Sequence, residues 1–122
     1  MKMGAPVRIL IVEDEPVIAE MLREWVTELG CEPVGPVSSA DAAMALLADK
    51  PVAGAILDIA IAGGNSYEIA TKLRECGAPF VFATGHGSED LDPQFRDAAL
   101  LLKPFNFDDL AGFVEPLRKL GG

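Results

Sequence analysis

An α/β fold built on a parallel sheet is what this sequence predicts, and two observations predict it. Five short apolar runs, at residues 7–12, 33–37, 52–57, 80–83 and 99–102, alternate with segments of helical periodicity. The runs VRILIV and AGAILD also lack the in–out alternation of a half-solvated strand, as strands covered on both faces do.

Each helical segment carries its own signals. The first has Val17, Ile18, Met21, Leu22, Trp25, Val26 and Leu29 on one face and Glu20, Arg23, Glu24 and Glu28 opposite. Pro16 falls in its first turn and Gly30 is a natural stop, and Trp25 is expected in the core. The second opens with Ser38 and Asp41 in capping-box-like spacing and runs through Leu47. The third runs from Ser66 to Cys76 and stops at Gly77. Between Thr84 and Ala99 the periodicity is weak and Pro93 intervenes, so a short or irregular fourth helix is expected. The last helix has Asn106 as its cap. Pro116 lies inside it, where proline costs about 3 kcal/mol, so a bent or shortened helix is expected.

The chain has 122 residues, which suits one domain spanning residues 1–122. Half of them are apolar, enough to bury a core without staples. The net charge of −9 disfavours direct contact with nucleic acid or anionic lipid. Cys31 and Cys76 show no metal-ligand spacing and read as reduced thiols. The one apolar run near the N-terminus is broken by Arg8 and ended by acids, too short for a signal-peptide core, and no stretch is long enough to span a bilayer. A cytoplasmic protein is expected.

In parallel sheets, ligands bind beyond the carboxyl ends of the strands. Glu13, Asp14 and Glu15 follow the first strand, Asp58 ends the third, Thr84 and Gly85 follow the fourth, and Lys103 and Pro104 follow the fifth. Singly, each has an ordinary reading: acids favour a helix N-terminus, an aspartate caps a turn, and a Lys-Pro pair connects strand to helix. Together they describe one device. A carboxylate such as Asp58 attacks phosphorus and holds a phosphoryl group covalently. Two anions must then approach, so a divalent cation is needed, and Mg²⁺, or Mn²⁺ in its place, suits Glu13, Asp14 and Asp58. Lys103 neutralises charge on the transferring group, Thr84 donates its hydroxyl, and Gly85 leaves room and offers a backbone N–H.

This ordered set resembles the receiver domains of two-component response regulators over essentially the whole chain. ILIVEDEP is similar to the family's acidic-pair motif with Glu13 and Asp14 as the pair, AILDIAI to the phosphoacceptor strand with Asp58 as acceptor, FATG to the hydroxyl motif with Thr84, and LLLKPF to the lysine motif with Lys103. The resemblance implies a doubly wound five-stranded parallel sheet ordered 2-1-3-4-5, a flavodoxin-like, CheY-like three-layer sandwich. It implies that the backbone carbonyl of Ala60 joins the metal ligands, that the backbone of Ala60 and Gly85 contacts the phosphoryl group, and that Lys103-Pro104 is cis. PFVFATGH and GGNSYEIA resemble the stand-alone FATGUY receivers, whose donors are commonly sensor histidine kinases of the HWE or related type. A histidine phosphotransfer protein is the other donor implied, and the signal then leaves through a downstream protein target.

Three departures stand out. The aromatic expected three residues before the lysine is Leu100, the proline-containing turn after the acceptor is replaced by AGGNSY, and the stretch from Thr84 to Lys103 is shortened. State is therefore expected to be read through an order–disorder change over residues 85–97 rather than an aromatic flip, which amide exchange with and without a phosphate mimic tests. His86 reads as a surface residue, and Tyr67 either sits near the site or packs the third helix. The competing reading is a receiver-like binding module that is never phosphorylated. A dehalogenase-type phosphatase needs D-x-D after the first strand, where EDE stands. A P-loop enzyme needs G-x-x-x-x-G-K-[ST], which is absent, and a flavodoxin needs a hydroxyl-rich loop where this chain is acidic.

Overall fold

A computed structural model describes residues 6–61, 64–85, 87 and 91–121, with side chains to residue 119. The elements follow in order: β1 (Arg8–Val12), α1 (Pro16–Glu28), β2 (Glu32–Val37), α2 (Ala40–Asp49), β3 (Gly54–Asp58), β4 (Ala60–Ile61), β5 (Gly64–Asn65), α3 (Tyr67–Cys76), β6 (Phe80–Thr84), a 3-10 turn (Pro93–Phe95), β7 (Ala99–Leu102) and α4 (Phe107–Gly121). The main sheet is all parallel with order β2-β1-β3-β6-β7, which is the expected 2-1-3-4-5 order of a flavodoxin-like sheet, with β4 and β5 forming a separate antiparallel pair.

Strand alternation explains why the runs look uniformly apolar. Ile9, Ile11, Ile56, Val81, Ala83 and Leu101 face one layer, packed against Leu22 and Val26 of α1 and Leu110 and Val114 of α4. Leu10, Val12, Ala55, Leu57, Phe80 and Phe82 face the other, packed against Ala43 of α2 and Ile69, Ala70 and Leu73 of α3. The central strands β1, β3 and β6 are thus covered by helices on both faces. Trp25 is partly buried against the first layer, edge-on to Phe105 and Phe107.

Two glycines permit close approach. At Gly35 (φ 91°), β2 spends two residues where β1 spends one: Leu10 pairs with Val34 and Val12 with Val37. A Cβ there would lie 3.0 Å from the Ile11 carbonyl oxygen, so this bulge requires glycine. At Gly54 a Cβ would meet Leu117 Cδ1 at 2.5 Å, so the absent side chain lets α4 lie down on β3.

Three expectations are corrected or refined. The final helix is not shortened at Pro116 but runs unbroken from Phe107 to Gly121. Pro116 and Gly112, whose carbonyl loses its helical donor, are both exposed, so water satisfies that oxygen. Apolar anchors on both sides, Val114 and Leu117, hold the helix to the core. The cap of α2 is Ser39 rather than Ser38, its hydroxyl accepting from the Ala42 amide at 3.2 Å. After Asp58, Ala60–Ile61 and Gly64–Asn65 form the β4–β5 pair, with Ala60 opposite Asn65 and Ile61 opposite Gly64. Among the described residues of the weak fourth-helix region, Pro93–Phe95 form a 3-10 turn, and Asn106 and Asp109 cap α4 reciprocally at 2.9 and 2.8 Å. His86, and residues 86 and 88–90 of the segment expected to order and disorder, lie outside the described residues.

Candidate functional site

The carboxyl edge of the sheet gathers the expected side chains. β1 ends at Val12, and Glu13 is held by its own amide, which donates to the Val37 carbonyl at 2.9 Å. Its side chain is buried, with Oε2 accepting from the Glu15 amide at 3.1 Å. Asp14, one residue on, points outward and is exposed. Asp58 closes β3, and its carboxylate, Glu13's and Asp14's each offer an oxygen within 4.8 Å of the others. Lys103, after β7, bridges the buried pair: its Nζ lies 3.3 Å from Glu13 Oε1 and 3.6 Å from Asp58 Oδ1. Its backbone N–H donates to the Thr84 carbonyl at 2.7 Å, which ties the lysine and the threonine to one register. The Lys103-Pro104 bond is cis, as expected from the resemblance.

Beside the acids, Asp58, Ile59, Ala60, Thr84, Gly85, Gly87 and Leu91 line a cleft of about 250 Å³. The β4–β5 pair follows the Asp58 turn, where the Ser66 amide donates to the Ile59 carbonyl at 3.0 Å and so closes the hairpin around Ala60.

The electrostatics of Asp58 follow from this crowding. Burial raises its pKa most, Glu13's charge raises it further, and Lys103 opposes both, leaving it at about 7. A carboxylate with depressed water access, next to two more carboxylates and one ammonium, is a poor anion by itself and a good ligand for a hard cation. Three oxygen donors at this spacing fit Mg²⁺, which favours a few carboxylates with water and phosphate oxygens.

All the side chains singled out in the sequence, Glu13, Asp14, Asp58, Thr84 and Lys103, come to this edge, with Ala60 and Gly85 on the cleft wall. Sequence reasoning missed Leu91, which it did not connect with the site, and left Tyr67 undecided between site and packing. Tyr67 packs: its ring stacks on Phe95 at 5.2 Å and its hydroxyl accepts from the amide of Asp92, the residue after Leu91, at 2.9 Å.

Fold and site together define a doubly wound α/β domain with a carboxylate–lysine–hydroxyl centre at its carboxyl edge. The chain belongs to the response regulator receiver domain family, which it matches over residues 9–115. It is similar to SdrG from Sphingomonas melonis Fr1 in a solution structure, at 42% identity and a TM-score of 0.80, covering 94% of this chain and 98% of that one. It is also similar to the response regulator TrrA from Thermotoga maritima, solved with Mg²⁺–BeF at 31% identity and a TM-score of 0.79 over 91% of this chain and 98% of that one, and solved too with the histidine kinase ThkA. Among curated proteins, the transcriptional regulatory protein PdtaR of Mycobacterium tuberculosis is 32% identical over 116 residues, covering 92% of this chain and 57% of PdtaR. The chain thus spans about half the length of the curated relatives it matches.

Proposed function

We propose that this receiver is a phosphoryl switch in two-component signalling, with Asp58 as the acceptor and residues 1–122 acting as one signalling unit. The observation that carries this reading is the Asp58 carboxylate in contact with Lys103, inside a three-acid cluster, facing a cleft walled by Thr84 and Gly85. An Asp58 oxygen attacks phosphorus, the P–N bond of a donor phosphohistidine breaks, and the imidazole leaves. Glu13, Asp14, Asp58 and the Ala60 carbonyl would hold Mg²⁺, or Mn²⁺, which when bound offsets the repulsion between carboxylate and phosphoryl group. Lys103 and Thr84 contact the phosphoryl oxygens, with the backbone N–H groups of Ala60 and Gly85 completing the cradle. The chain promotes its own phosphorylation and slow hydrolysis, and signals through protein contacts in the cytoplasm rather than by binding DNA or membrane. Among the described residues, no helix is long and apolar enough to cross a membrane.

The test is intact-protein mass after incubation with acetyl phosphate and Mg²⁺. One added phosphoryl group, lost in Asp58→Asn and lost without metal, is the expected result. No adduct, and no Mg²⁺-dependent binding of beryllofluoride, would instead favour a module that recognises partners unmodified.

The donor is a sensor histidine kinase of the HWE or related type, or a histidine phosphotransfer protein. A groove lined by Glu15, Ile18, Met21, Lys103, Pro104 and Phe105 supports its docking on α1, since it opens beside the lysine and is flanked by Val17, which is 82% exposed. Val17→Asp should slow transfer from the donor protein about tenfold or more while leaving the acetyl phosphate reaction unchanged. Transfer from the donor protein at an unchanged rate would move the donor elsewhere.

A further inference from the structure

We infer that Tyr67 and Leu91 set the lifetime of the phosphoryl group, Leu91 as an apolar wall of the acceptor cleft and Tyr67 as the positioning residue that holds it there. The inference rests on the reading of Asp58 as acceptor. Loss of the group requires water to attack phosphorus: a P–O bond to water forms, the P–O bond to Asp58 breaks, orthophosphate departs and the water's proton passes to solvent. Whatever limits water in the cleft therefore limits the rate.

Leu91 is 3% exposed and faces the same cleft as Asp58, Thr84 and Gly85. Its placement is not imposed by the sheet, because β6 ends at Thr84 and β7 begins only at Ala99. It is imposed by α3. The next residue, Asp92, donates its amide to the Tyr67 hydroxyl at 2.9 Å. Its carboxylate accepts from the Gln94 amide at 3.1 Å and so starts the 3-10 turn. That turn seats Phe95 flat on the Tyr67 ring at 5.2 Å and edge-on to Phe82, two residues before Thr84. Arg74, two turns along α3, covers the other side: its guanidinium lies 4.5 Å from the Phe95 ring centre and donates to the Gln94 carbonyl at 2.9 Å. Tyr67 also begins α3 directly after the hairpin that presents Ala60. The wall at Ala60 and the wall at Leu91 thus share one anchor. A single hydroxyl, separable from the ring that packs, ties the Leu91 segment to that anchor.

The experiment phosphorylates the wild type, Tyr67→Phe, Leu91→Ala and the double variant with acetyl phosphate and Mg²⁺, removes the reagent and follows the loss of the phosphoryl mass with time. Tyr67→Phe keeps the ring stack, so folding is retained and thermal melting verifies it. Each single change should shorten the half-life about three- to tenfold, the rate equivalent of one hydrogen bond's worth of positioning. The double variant should decay no more than about twofold faster than the faster single, because both act through the same wall. The Mg²⁺ concentration for half-maximal phosphorylation should not move. Unchanged half-lives in folded single variants overturn the inference, as do effects that multiply in the double. A wild type that gains no mass removes the acceptor reading and this one with it, a result distinct from a phosphorylated wild type whose variants decay alike.

Discussion

In the metal-free protein at pH 8, Asp58→Asn should raise the unfolding midpoint, and the gain should disappear near pH 4. The Asp58 pKa stands at about 7 in the fold, chiefly through burial and then through Glu13, against about 3.9 in an unfolded chain. The folded state therefore binds the extra proton between those values, and stability falls as pH rises through this window. Below about pH 4 both states are protonated and the group costs nothing, while above about pH 7 the full cost is present. A shift of that size converts to about 4 kcal/mol as an upper bound, and the open cleft beside the carboxylate screens it to about 1–2 kcal/mol. That is worth about 3–8 °C in a domain of this size. Mg²⁺ should reverse the order, stabilising the wild type as log concentration rises and the variant far less. Its apparent affinity should climb between pH 6 and 8, since binding displaces the Asp58 proton. Thermal melts at pH 4.5 and pH 8, with and without Mg²⁺, check this. A variant no more stable than the wild type at pH 8 would sink it.

Lys103→Ala should slow phosphorylation by acetyl phosphate about 10²- to 10³-fold, the usual effect of removing one group that stabilises developing charge. The same change should tighten Mg²⁺ binding several-fold. The ammonium lies 3.3 Å from Glu13 and 3.6 Å from Asp58, so it competes with the cation for those carboxylates. Removing it also leaves two buried acids without their counter-charge, which should cost about 1–3 kcal/mol in the metal-free protein at pH 8. Phosphorylation kinetics and Mg²⁺ titration on the same preparation check the split. A strut without a chemical role would lower stability and leave the rate at saturating Mg²⁺ alone.

The sequence by itself determined the fold class, the five strands and the residues at their carboxyl ends. A parallel sheet covered on both faces demands uniform apolar runs, and its geometry brings whatever follows each run to one edge, so Glu13, Asp58, Thr84 and Lys103 could be grouped from 90 residues apart. Only the tertiary structure decided which of two adjacent acids pairs with the lysine. Glu13 is buried against Lys103, while Asp14 is exposed yet still brings a carboxylate oxygen within 4.8 Å of those of Glu13 and Asp58. Spacing pointed to Ser38 as the cap of α2, whereas the packing of Ala43 into the core sets the phase that makes Ser39 the cap. Pro116 pointed to a bent or shortened helix because propensity is local, whereas Val114 and Leu117 hold α4 through long-range burial. The β4–β5 hairpin was hidden because strands of two residues carry no periodicity. The wall at Leu91 was hidden for a related reason: its anchor is the Tyr67 hydroxyl, 25 residues from the amide it holds, and nothing local marks such a bond.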